Sequence, residues 1–150
     1  MASRGAIFGV TARTPAVPRE PLIACVDDDV SAREALEGLL KAFGFTADVF
    51  SSAEEFLQSD RLGETSCVIT DIHLGGMSGL QLQGRLAASR SGIPVIVITA
   101  FPDDRVRERA LSAGAVGLLN KPFNTGDLLA CIRSALNRRH GDGGYPQRAI

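Results

Sequence analysis

From Pro21 onward, short apolar runs alternate with segments whose apolar residues recur at helical spacing. Leu22–Val26 is a continuous apolar run, too short for a helix and typical of a strand buried on both faces. Ala35, Leu36, Leu39, Leu40 and Phe43 then follow a helical period, with Gly44 placed as a C-terminal cap. Phe45–Phe50 predicts a second strand. Ser51 and Ser52 each precede a glutamate by three residues, so both offer capping boxes for a short helix ending near Gln58. Cys67–Thr70 is the third strand. Leu80–Ser89 is the next helix, weakened by Gly84. Pro94–Ile98 is a β-branched run and a strong strand signal. Asp103–Ala113 predicts a charged helix with a thin apolar face, closed by Gly114. Ala115–Leu119 is the fifth strand, and Leu128, Leu129, Ile132, Ala135 and Leu136 form the last amphipathic stripe.

Strands alternating with helices five times over argue for an α/β domain, a doubly wound parallel sheet covered on both faces. The ends lie outside this pattern. Residues 1–20 read as a flexible N-terminal extension, 21–137 as the folded domain and 138–150 as a flexible tail too short for a second domain. Hydrophobic residues make up 45% of the 150 and charged residues 22%, the ordinary balance of a globular protein. No apolar run approaches the ~20 residues that span a bilayer.

Charge excludes another class. Sixteen basic against 17 acidic residues give a net charge of -1, so no global basic field exists to hold nucleic acid. Aromatic content of 5% without tryptophan also argues against a base-stacking surface. The first 21 residues and the last 13 each sum to +2, which leaves 22–137 at -5. Cys25, Cys67 and Cys131 lie in or beside apolar runs and read as small buried hydrophobes in a reducing, cytoplasmic compartment.

The polar residues follow the strands in a regular way. Asp27, Asp28 and Asp29 follow the first strand, Asp71 the third, Thr99 the fourth and Lys121 the fifth. In a parallel sheet every strand's carboxyl end lies on one edge, where open α/β sheets place their ligands. Carboxylates gathered there repel one another unless a cation sits among them. A hard divalent ion with oxygen ligands is the usual remedy. A carboxylate left free beside that ion is a nucleophile towards phosphorus and gives an acyl phosphate. Lys121 and Thr99 are the fixed cation and hydroxyl donor that the phosphoryl oxygens then need. Asp29 is better read as a turn former or helix N-cap.

These residues, in this order, resemble the receiver domain of bacterial two-component response regulators. The resemblance rests on V-D-D-D at Val26–Asp29 and I-T-D-I-H-L-G-G-M-S-G at Ile69–Gly79. It continues in V-I-V-I-T-A at Val95–Ala100 and G-A-V-G-L-L-N-K-P-F at Gly114–Phe123. It covers roughly Pro21 to Asn137. S-A-E-E-F-L and M-S-G-L-Q-L are closest to receivers of nitrogen-fixation-type regulators. The resemblance implies a flavodoxin-like (βα)5 fold with strand order 2-1-3-4-5. It implies a phosphoacceptor in phosphorelay signal transduction rather than an enzyme, one that promotes its own phosphorylation and slow dephosphorylation. Asp71 would be the phosphoacceptor. Asp27, Asp28, Asp71 and the backbone carbonyl of His73 would hold Mg²⁺ or Mn²⁺. Thr99 and Lys121 would bind phosphoryl oxygens, and the Lys121–Pro122 bond would be cis. The His73 side chain is expected to face solvent with no chemical role. A sensor histidine kinase or phosphotransfer protein would supply the phosphoryl group to a stand-alone receiver. A downstream protein would read the fourth helix, fifth strand and last helix, with Arg105, Arg107 or Arg109 at the rim, and neither nucleic acid nor membrane is an expected partner.

Three positions depart from the family pattern. Leu74-Gly75 replaces the common Met-Pro, which predicts a more mobile loop. Leu118 stands where relatives present an aromatic residue on the fifth strand. Phe101 is bulky where many relatives carry a small or polar residue, and it is expected to shield the acyl phosphate and carry part of the switch. Two rivals compete with the receiver. A haloacid-dehalogenase-like phosphotransferase also begins with D-x-D (Asp27, Asp29), but its acidic pair would be Asp103–Asp104, which precedes Lys121, and Asp71 would have no task. A receiver-like binding module that is never phosphorylated conflicts with the intact set Asp27, Asp28, Asp71, Thr99 and Lys121.

Overall fold

β1 (Leu22–Val26) is buried along its whole length, as five consecutive apolar residues require. A computed structural model describes the chain at residues 20–101 and 103–140. Four further parallel strands follow: β2 (Thr46–Phe50), β3 (Cys67–Asp71), β4 (Val95–Thr99) and β5 (Gly117–Asn120). Their order in the sheet is β2-β1-β3-β4-β5. The central three are fully buried, whereas edge strands β2 and β5 are only partly so. The helices are α1 (Val30–Ala42), α2 (Ala53–Leu57), α3 (Gly79–Ala88), α4 (Asp104–Ser112) and α5 (Thr125–His140).

Side chains alternate across a strand, so the sheet divides the core in two. Ala24, Val26, Val68, Val95 and Val97 face Phe56 of α2, Leu82 and Leu86 of α3 and Ala110 of α4. Ile23, Cys25, Cys67, Ile69, Ile96 and Ile98 face Leu36 and Leu40 of α1 and Leu128, Ile132 and Ala135 of α5. α4 buries only Ala110, in keeping with its thin apolar face. Gln83 joins α3 to α4, its Nε2 donating to the Ala110 carbonyl at 2.9 Å.

The helix ends follow local chemistry. Asp29 caps α1 by accepting from the Ser31 N–H, and Ser52 caps α2 by accepting from Glu55. Ser78 and Gln81 form a reciprocal capping box on α3. Gly44 and Gly114 carry φ of +94° and +97° just beyond α1 and α4, where other residues would be strained. Besides one-residue shifts at several element ends, three details differ from the sequence expectation. A 3-10 turn at Leu62–Glu64 has no periodic signal. β5 begins at Gly117 instead of Ala115, because the Ala115 N–H still bonds back to Ala110 at the end of α4. α5 runs to His140, past the expected start of a tail at 138. The apolar stripe ends at Leu136, but an established helix adds residues without needing one. Residues 1–19 and 141–150, expected to be flexible, lie outside the described residues.

Candidate functional site

The carboxyl ends of β1, β3, β4 and β5 lie side by side, since each register pair is parallel. Asp27 leaves β1 directly, its N–H still bonded to Phe50 of β2 at 3.1 Å. Asp71 is the last residue of β3, opposite Ile98. Both are nearly buried, at 6% and 9% exposure. Buried carboxylates need partners. Lys121 supplies one to both: its Nζ lies 2.9 Å from Asp27 Oδ2 and 2.8 Å from Asp71 Oδ2. The second oxygens are also occupied. Asp27 Oδ1 accepts from the Asp29 N–H at 2.9 Å and Asp71 Oδ1 from the His73 N–H at 3.0 Å.

Lys121 reaches this position because its backbone continues the β4–β5 ladder, with its N–H donating to the Thr99 carbonyl at 2.8 Å. The peptide bond to Pro122 is cis. Burial by itself would lower the Lys121 pKa. The hydrogen bonds and charges of Asp71 and Asp27 outweigh that and hold it above the usual lysine range.

Thr99 is fully buried at the end of β4. Its Oγ accepts from the Phe101 N–H at 3.0 Å, so the hydroxyl hydrogen is left to donate elsewhere. A cavity of about 190 Å³ opens beside it, lined by Asp103, Val106, Arg107, Leu118 and Asn120. Phe101 does not fill that space. It is 69% exposed, and its ring meets the His73 imidazole edge-on with centroids 5.3 Å apart. The His73 side chain is therefore exposed as expected but packed against a neighbour. The pair joins the loop after β3 to the loop after β4.

Asp28 is exposed, outside the ion-paired trio. The buried donors are carboxylate oxygens, the chemistry a hard divalent ion prefers. Among the described residues no three acidic, histidine or cysteine side chains gather closely enough to enclose an ion. Two carboxylates with further oxygens from backbone and water suit Mg²⁺, which retains several waters. The residues present therefore fit such an ion.

Comparison with known proteins adds the decisive observation. The family model for the response regulator receiver domain matches residues 23–133. The chain belongs to the response regulator receiver domain family. This receiver is similar to Nodulation protein W of Bradyrhizobium diazoefficiens, 39% identical over 117 residues, covering 78% of this chain and 52% of that protein. It is also similar to the transcriptional regulatory protein FixJ of the same species, 34% identical over 116 residues, covering 77% and 57%. Among solved structures, that of the response regulator StyR superposes with a TM-score of 0.76 at 39% identity, covering 83% of this chain and 63% of that one. The chain thus spans about half the length of the curated relatives it matches. The nitrogen-fixation kinship and the 2-1-3-4-5 flavodoxin-like sheet both stand. Receivers are phosphoacceptor modules of two-component systems, and the family match does not favour the dehalogenase alternative. No described helix is long and apolar enough to cross a membrane.

Three residues of the site were not singled out by the sequence pattern. Arg33 of α1 donates from Nη1 to the Asp27 carbonyl at 2.8 Å. Gly79 opens α3 directly against the Asp71 backbone, and a side chain there would collide with the Asp71 carbonyl. Glu54 of α2 accepts from the Met77 N–H in the loop after β3. A glycine ending the third-strand loop was the one visible signal. Arginine at the first turn of a helix carries none, and Glu54 reads in the sequence only as a capping residue for its own helix.

Proposed function

We propose that Asp71 accepts a phosphoryl group from a histidine kinase or phosphotransfer protein and that the acyl phosphate switches the binding of a partner protein. The single observation that carries this reading is the trio Asp27–Lys121–Asp71 on the carboxyl edge of a sheet. One Asp71 carboxylate oxygen attacks phosphorus. The new O–P bond forms as the N–P bond of the donor phosphohistidine breaks, and the departing imidazole takes up a proton. Lys121 follows the charge from the carboxylate to the phosphoryl oxygens, and Thr99 donates its free hydroxyl hydrogen to another. Asp27, Asp28, Asp71 and the His73 carbonyl would hold Mg²⁺, which when bound neutralises phosphoryl charge. A receiver of this kind assists its own phosphorylation and slow hydrolysis without turning over other phosphate esters.

The output surface is α4, β5 and α5. α4 buries little of itself, and Arg105, Arg107 and Arg109 are exposed at its rim. Phe101 and Leu118 flank Thr99 and carry the switch between the two states. Cys25, Cys67 and Cys131 are unpaired, which supports a cytoplasmic setting. The test is mass spectrometry after treatment with a small acyl-phosphate donor and Mg²⁺. One acid-labile phosphoryl group is expected on the native chain and none on Asp71→Asn. Full labelling of that variant at another residue overturns the assignment.

A further inference from the structure

The segment between Asp71 and α3 contains Leu74-Gly75-Gly76, a sequence with little stiffness of its own. One side chain from another element holds it. Glu54 Oε2 accepts from the Met77 N–H at 2.9 Å, across 23 residues of sequence. The fit is close. A Cβ placed on Gly76 would lie 2.6 Å from the same Oε2, with only Glu54 side-chain atoms as its nearest neighbours. Ser52 and Glu55, with Ser51, make the hydrogen bonds that start α2, which leaves the Glu54 carboxylate available to the loop. The Glu54 carboxyl is held below its ordinary pKa, first by the Met77 N–H and then by its own backbone N–H. The carboxylate is therefore charged at neutral pH, and a charge-assisted acceptor is the stronger kind.

We infer that Glu54 is a positioning residue for phosphorylation: it latches the loop after β3 through Met77 and so fixes the His73 backbone on which the site depends. This rests on the reading of Asp71 as an Mg²⁺-dependent phosphoacceptor. Several backbone amides anchor the loop. His73 is tied to Asp71 Oδ1, Gly79 donates to the Ile72 carbonyl at 2.9 Å, and Met77 is tied to Glu54. Ile72 also donates to the Ile98 carbonyl of β4 at 3.1 Å and His73 packs against Phe101, so Glu54 is the outside partner that holds the loop beyond Gly75-Gly76. Gly76 belongs to the device because any side chain there displaces the carboxylate. The displaced group is the end of a flexible exposed side chain, so the folded state tolerates the change while the latch opens.

The experiment uses the full chain and four variants: Glu54→Ala, Glu54→Gln, Gly76→Ala and the double Glu54→Ala/Gly76→Ala. Amide hydrogen exchange at Met77 is measured without metal, and the Mg²⁺ dissociation constant is read from the His73 amide shift. Glu54→Ala is expected to speed Met77 exchange and to weaken Mg²⁺ binding by roughly three- to tenfold, the loss of one charge-assisted hydrogen bond at an exposed site. Glu54→Gln keeps an acceptor oxygen and recovers most of both. Gly76→Ala reproduces Glu54→Ala, and the double variant is no worse than either single one. Unchanged Met77 exchange or unchanged Mg²⁺ affinity in Glu54→Ala overturns the latch. So does a Gly76→Ala effect that persists at full size in the Glu54→Ala background through additivity. Absence of Mg²⁺ binding by the native chain instead overturns the phosphoacceptor reading, and Met77 exchange then still decides whether the latch exists.

Discussion

Replacing Lys121 with methionine tests the electrostatic design of the site most directly. The substitution keeps an unbranched stem and removes the ammonium that Asp27 and Asp71 share at 2.9 and 2.8 Å. At an effective dielectric constant of about 20, a pair at that separation has a gross attraction of about 5–6 kcal/mol. Most of this offsets the cost of burying the charges. Removing one partner of a buried pair costs about 3–5 kcal/mol, because the remaining charge stays uncompensated. The Lys121 side chain is 27% exposed while the carboxylates are 9% and 10% exposed, so water screens part of the effect. We expect a loss of about 2–3 kcal/mol after that discount. Urea unfolding followed by far-ultraviolet circular dichroism, in the presence of a chelator, measures it. Adding Asp27→Asn to Lys121→Met relieves the repulsion between the two carboxylates and should return more than about 1 kcal/mol. Millimolar Mg²⁺ should stabilise Lys121→Met more than the native chain, since the ion no longer competes with an ammonium. Equal stability of Lys121→Met and the native chain in chelator would refute the reasoning. An Mg²⁺ effect of the same size on both would refute its second half.

The same ammonium predicts a pH signature. A lysine whose folded pKa is raised contributes stability below its ordinary value of 10.5 and loses it as pH rises through the higher folded value, so the gap between native and Lys121→Met stability should hold to about pH 10 and close above it. Phe101→Ala should alter both the phosphoryl half-life and partner affinity, because it opens the contact with His73; unchanged values, with Leu118→Ala abolishing phosphorylation-dependent binding, would return the switch to β5. Gly79→Ala should lower the unfolding free energy by about 2–3 kcal/mol by the same urea assay, since the obstacle is the Asp71 backbone, which cannot swing aside.

Sequence alone gave access to the strands and the site for one reason. Parallel strands buried on both faces are unbroken apolar runs, and their carboxyl ends share an edge, so Asp27, Asp71, Thr99 and Lys121 could be placed together without coordinates. Contacts between elements left no such trace. Glu54 lies three residues after Ser51, so a local capping motif accounted for it fully, while its partner Met77 is a backbone amide that any residue type would offer. Arg33 binds a carbonyl for which sequence likewise has no symbol. The Phe101–His73 pair depends on two loops converging, and loop paths are set by tertiary packing. The mobility expected of Leu74-Gly75 follows from composition, which carries no sign of the bond from Glu54 to the Met77 N–H. α5 outran its stripe because periodicity reports burial, and the last turns of a helix need not be buried.

The division of the interior by the sheet has an evolutionary consequence. The buried side chains fall into two clusters on opposite faces, so substitutions behind α1 and α5 and substitutions behind α2, α3 and α4 should add nearly independently. A lineage can then drift on one side without a compensating change on the other. Only the rim joins the two histories. There Arg33 arrives from α1, Glu54 from α2 and Lys121 from β5. Covariation in such a chain should be dense within each half, sparse across the sheet, and concentrated where the strands end.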